Sequence, residues 1–235
     1  MNIIDLAIIA VLGIGFLLGW YKGFLVTGLN FVSYILSWIV AAIFYSPLAS
    51  YILKINNFDK LLLYFTAGAE KLSDMSVANT SIYDLSFERI SEIISTSDLP
   101  KPIEGMMLNN IENSVFASDG IVTLSDYFNQ TIINLAISLI SFLIIFFAVK
   151  LICMFVIGLV DYVVELPVLK QFDKLIGGGV GVLQAAVFIF VVFAIVPIAM
   201  SVLPMEKFNE LIQGSLLGRL FFNRNIIFNI LRSVF

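Results

Sequence analysis

Four long apolar stretches run along the chain: Ile3–Trp20, Phe24–Tyr45, Ile132–Val149 with an apolar extension to Val160, and Ile176–Leu203. Each has at least the roughly 18 residues needed to cross a bilayer core of about 30 Å. The second and fourth carry no charged residue, and the first has only Asp5 near its start. A soluble helix of this length would show a polar face, and these show none. The pattern predicts an all-α polytopic membrane protein with four transmembrane helices in two hairpins, 1–45 and 132–204. The turn between the first two is only Tyr21-Lys22-Gly23.

The intervening segment, 46–131, follows a different rhythm. Phe58, Leu61, Leu62, Phe65, Ala69 and Leu72 recur at helical spacing among charged residues, and Phe87, Ile90, Ile93 and Ile94 do so again. Met106, Met107, Leu108 and Ile111 follow the break at Pro100-Lys101-Pro102. Two or three short amphipathic helices are expected here. They pack on one another or lie on the membrane surface, or else form a lid that docks a partner. In 205–235 a helical apolar repeat is interrupted by Arg219, Asn223, Arg224, Asn225, Asn229 and Arg232. That mixture predicts one amphipathic helix lying in the headgroup plane rather than a fifth span.

Composition sharpens the class. Hydrophobic residues make up 60% of the chain and charged residues 13%, against a usual apolar share of about 45–50%. The segment from Pro47 to Thr131 holds five basic and eleven acidic residues, a net of −6, so the remainder carries +2. An acidic segment is a poor partner for phosphate backbones, so no nucleic acid is expected. There is no histidine and a single cysteine, Cys153. The usual general base and the commonest metal ligand are therefore missing, and no cofactor or enzyme activity is expected.

The amino-terminal run lacks a basic leader and a small-residue cleavage site, so it reads as a retained span. Lys22, Lys150, Lys170 and Lys174 sit at one set of span ends, against Lys54, Lys60 and Lys207 at the other. By the positive-inside rule both hairpin turns are cytoplasmic, and both termini and the acidic segment lie outside.

Within the apolar stretches the informative residues are small or weakly polar. Gly15, Gly19 and Gly23 share one helix face, as do Gly177, Gly181 and Ala185. In lipid, small residues at this spacing let helix backbones approach closely. Thr27, Asn30, Ser33 and Ser37 form a polar stripe on the second stretch, and Asn134, Ser138 and Ser141 one on the third. The stripes are expected to face each other as hydrogen-bonding glue, or to line a narrow polar pathway. Asp5 at the start of its helix complements the helix dipole. Lys150 is expected to snorkel to a nearby end.

The opening Ile4-Asp5-Leu6-Ala7-Ile8-Ile9, the turn Tyr21-Lys22-Gly23-Phe24, Leu166-Pro167, Asp173-Lys174 and Gly177-x-x-x-Gly181 together resemble the colicin V production protein (CvpA) family. The resemblance covers the four apolar stretches, about half of the chain, and the long acidic segment departs from it. It implies a multi-pass protein of the bacterial cytoplasmic membrane, connected with toxin production, secretion and the cell envelope. The motif positions are Asp5, Lys22, Gly23, Phe24, Asp173, Lys174, Gly177 and Gly181. Lys22 is expected to pair with Asp173 across the bundle, or the turn cluster to dock a partner. The expected activity is support of toxin export through a protein partner or self-association within the lipid bilayer. The alternative is a small oligomeric channel or transporter subunit.

Overall fold

In the computed structural model the described residues are 2–54, 72, 75–97, 99–117, 120–161, 170–202 and 206–232. They are helical, with one isolated antiparallel bridge, Ser81–Thr123. The helices are α1 (Ile3–Leu53), α2 (Met75–Ala78), α3 (Phe87–Thr96), α4 (Lys101–Glu112), α5 (Leu124–Asp161), α6 (Lys170–Val202), α7 (Glu206–Gln213), α8 (Leu216–Asn223) and α9 (Ile226–Arg232). Three of them, α1, α5 and α6, are long and apolar enough to cross a membrane.

The 51 residues of α1 would make a straight rod of about 76 Å, more than twice a bilayer core. The rod is broken at Gly23, where φ 79° and ψ 171° are non-helical and essentially open only to glycine. The two limbs, α1a (3–22) and α1b (24–53), fold back on each other. Thr27 Oγ1 lies 3.4 Å from the Gly19 carbonyl oxygen, eight residues away, a separation of about 12 Å along a straight helix.

The chain forms two compact units, with boundaries inside α1, α5, α6 and α7. Pro47 and Pro197 follow just after two of these boundaries. The first unit comprises 1–45, 141–193 and 210–225. Here α6 runs antiparallel to α1a, Ala185 meeting Gly15 and Gly177 meeting Gly19. A Cβ on Gly15 would lie 2.6 Å from the Gly181 oxygen, and one on Gly177 2.6 Å from the Gly19 oxygen. The two helices thus touch backbone to backbone. On the other flank α5 packs on α1b through Tyr34–Phe146 and Tyr45–Phe142, with ring centroids 6.1 and 6.5 Å apart.

The second unit comprises 46–140, 194–209 and 226–235. The expected amphipathic helices at Phe87 and Met106 are α3 and α4. Ser86 caps α3 by accepting from Arg89 N, and Pro100 opens α4. Ile90, Ile93 and Ile94 of α3 are buried with Ile103, Met106 and Met107 of α4. Asn110 donates to Thr131 of α5 at 3.0 Å, so the amphipathic segment is packed and hydrogen-bonded. The helix expected around Phe58–Ala69 lies outside the described residues.

Two expectations need correcting. Helices α1 and α5 extend beyond the apolar stretches, to Leu53 and from Leu124. In the second unit Ala49, Ile52 and Leu53 of α1 cluster with Ile133 and Ile137 of α5. The carboxy-terminal region is three short helices, not one. Breaks fall at Gly214-Ser215 and Arg224-Asn225, where buried Ser215 caps the next helix by accepting from Gly218 N and buried Asn225 donates to the Phe190 carbonyl of α6.

The seam gives the first prediction. Gly19→Leu or Gly181→Leu drives a side chain into the facing backbone, so each lowers the thermal unfolding midpoint in detergent sharply. The expected loss is upwards of about 3 kcal/mol, beyond ordinary overpacking because backbone cannot move aside. Gly13→Leu, a position with open space around it, is the control that leaves the midpoint unchanged.

Candidate functional site

The residues singled out by sequence gather in the first unit at three places. The first is the turn. Gly23 opens α1b, so Phe24 N–H is a helix-terminal donor without an intrahelical acceptor. Asp173, in the first turn of α6, accepts from it through Oδ1 at 2.9 Å, while its Oδ2 occupies the place a Cβ on Gly23 would need. The pairing is of carboxylate with helix N-terminus, favoured by hydrogen bond and dipole together. The expected Lys22–Asp173 ion pair is absent among the described residues. Lys22 and Lys174 are exposed, because the carboxylate is spent on the backbone. Leu166-Pro167 lies outside the described residues.

The second place is the start of α1. Asp5 is buried, and it serves another helix as well as the start of its own. Its Oδ1 accepts from Ser215 Oγ at 2.6 Å and from Leu217 N at 3.0 Å, and its Oδ2 from Asn2 N at 3.1 Å. Ser215 in turn accepts from Gly218 N at 2.7 Å. Asp5 and Ser215 together cap α8, and Asp5 ties both ends of the chain's first unit.

The third place was not legible. Lys150 does not snorkel; it is 6% exposed. Its Nζ donates to the Asn30 carbonyl at 3.1 Å and to Ser33 Oγ, and sits 3.8 Å above the Tyr34 ring. Asn30 and Ser33 lie roughly 10–15 Å of helix beyond Gly23. The charge is housed internally by two oxygens and a π face. The signal was present in part: a lysine well inside a long apolar run, and a facing helix with Asn and Ser at helical spacing.

No hydrogen bond joins the two polar stripes among the described residues. Thr27 and Asn30 meet α6 and α5, Gln184 donating to the Thr27 carbonyl at 2.6 Å and Lys150 to Asn30. Ser33 and Ser37 return to their own helix, donating to the Asn30 and Ser33 carbonyls. Asn134 accepts from Gln130 on its own helix. Ser141 is fully buried with its hydroxyl unpartnered. Between α1a, α1b and α6 lies an open cleft of about 340 Å³. Its walls are apolar, Val11, Ile14, Leu18 and Phe188 among them, and Tyr34 and Gln184 are its polar members. Tyr34 is thus shared between the cleft and the lysine.

No group of three or more potential metal-ligating side chains occurs among the described residues. The chain matches the model of the family described as colicin V production protein over residues 4–73 and 114–225. Neither a curated protein nor a solved structure matches it. The stretch left between the two matched parts holds α2, α3 and α4.

Two substitution series follow from this geometry. Lys150→Met keeps the stem and removes the buried charge, so desolvation relief offsets the lost contacts, and the melting midpoint stays within about 1 kcal/mol of the parent. Lys150→Glu sets a carboxylate against two oxygens and a π face and costs about 3 kcal/mol or more. At the turn, Asp173→Ala costs about 1–2 kcal/mol, the usual worth of a capping carboxylate. In a double-mutant cycle with Lys22→Ala the coupling is near zero. A coupling above about 1 kcal/mol would restore the ion-pair reading.

Proposed function

Since this chain belongs to the colicin V production protein family, we propose that it supports production and export of a colicin V-type toxin by binding other proteins, not by catalysis. The observation that carries this reading is that the charged side chains Lys150, Asp173 and Asp5 are spent on partners within the first unit. Lys150 is spent on Asn30, Ser33 and Tyr34, Asp173 on Phe24, and Asp5 on Ser215 and Leu217. Each of these groups ties helices together, and a bundle so tied presents fixed surfaces outside the membrane. The partner is a protein of the export machinery or a second copy of the chain.

The reading includes four crossings of the cytoplasmic membrane, because the fold-back at Gly23 divides α1 into two limbs, each long enough to cross. Both hairpin turns face the cytoplasm, since exposed Lys22 and Lys174 lie at that end. The cleft beside Tyr34 and Gln184 favours the second reading, a small channel or transporter subunit. Under that reading an oligomer would complete the path.

Cells producing a colicin V-type toxin and lacking this protein provide the test. Complementation with the parent restores toxin export, and crosslinking from the exposed turns recovers a specific partner. Purified protein in liposomes passes no ions or small solutes above the lipid background. Flux above background, abolished by Gln184→Leu, would favour the channel.

Orientation is checked separately in intact cells on a Cys153→Ser background. A cysteine at Asp84 is labelled by an impermeant thiol reagent and one at Lys174 is not; the reverse pattern inverts the topology.

A further inference from the structure

Helix α8 is held in one orientation by contacts at both ends. At its start Asp5 accepts from Ser215 Oγ and Leu217 N, and Gly218 sits so close to α1 that a Cβ there would lie 3.0 Å from Ile4 Cγ2. Just past its end Asn225 donates to the Phe190 carbonyl at 2.8 Å. Between these ties Phe221 packs edge-on to Phe190, with centroids 4.8 Å apart, and also meets Phe193. Gly218, Phe221 and Phe222 are thereby buried, and the helix cannot roll.

The face left outward is Leu216, Arg219, Leu220, Asn223 and Arg224, at helical spacing. Leu216 is 70% and Leu220 47% exposed, and both arginines are exposed. Neither arginine forms an ion pair among the described residues. From Leu211 to Phe235 the sequence contains three arginines and no acidic residue. Two bare leucines flanked by unpaired arginines are unfavourable in water and unfavourable in hydrocarbon. They suit the boundary between the two, where leucine enters the acyl region and guanidinium meets phosphate. Depth supports the same assignment. The anchor of α8 is Asp5, at the point where the apolar run of α1 begins, which is where a span leaves the headgroup layer.

We propose that the outward face of α8 is a binding surface for anionic phospholipid headgroups, with Leu216 and Leu220 inserted and Arg219 and Arg224 on the phosphates. Asp5 then has a further consequence: by capping α8 it sets the depth and roll at which that surface meets the lipid.

The test uses the full chain carrying Cys153→Ser, with Leu216→Cys, and in a second preparation Leu220→Cys, labelled with an environment-sensitive fluorophore. It is reconstituted in vesicles of phosphatidylcholine with or without phosphatidylglycerol. The emission at both positions is blue-shifted, and bromines placed near the headgroup end of the acyl chains quench it about twofold more than bromines near the chain ends, as for an interfacial helix. Phosphatidylglycerol increases the quenching, and Arg219→Gln with Arg224→Gln removes that increase while the thermal midpoint is kept. Water-like emission insensitive to every brominated lipid at both sites would overturn the proposal. So would quenching lost as protein is concentrated in the bilayer, which would mean that a second copy covers the face. Quenching indifferent to phosphatidylglycerol and to the arginines would overturn the anionic preference.

Discussion

Backbone-to-backbone approach along Gly15, Gly19, Gly177 and Gly181 is the constraint on which the first unit depends. Lipid tails are as apolar as leucine, so burial supplies no net drive for helices to associate, and close packing must supply it. Four missing side chains allow α6 to lie directly on α1a. That approach brings the first turn of α6 to the break in α1, so Asp173 reaches Phe24 N–H and fills the space beside Gly23. It also brings Gln184 to the Thr27 carbonyl. The reversal of α1 and its helix-terminal cap are thus consequences of one seam.

The other flank works by different chemistry. Between α1b and α5 the packing is aromatic, and the polar element is Lys150. A buried ammonium is expensive, and two oxygens with a ring face reduce the cost. The charge is therefore specific to this arrangement of helices, since any register slip would strand it. A lysine held this way works as a registration device.

The part of the chain with no counterpart in the family match, 74–113, contains α2 to α4. Its helices have buried isoleucines and methionines and a hydrogen bond from Asn110 to Thr131 on α5. An insertion packed in this manner is a folded element with a defined exterior, including the exposed Tyr83 and Phe87. Family membership speaks to the helices that carry the seam, and this exterior belongs to this chain.

Sequence alone determined the membrane class, the long apolar helices, the turn at Gly23 and the amphipathic helices α3 and α4. Each follows from local pattern: run length, spacing of apolar residues, a glycine at a turn, a proline at a helix start. Tertiary structure decided the partners. Asp5 and Asp173 were visible as charged residues near helix starts, yet Asp5 caps α8 besides the start of its own helix and Asp173 caps α1b, and nothing local encodes that choice. Lys150 was visible inside an apolar run, but its burial depends on Asn30, Ser33 and Tyr34 being brought to it from 120 residues away. The single carboxy-terminal helix became three because Ser215 and Asn225 found partners on Asp5 and Phe190. Periodicity reports which face of a helix is apolar; which helix meets that face is set by close packing between elements distant in the chain.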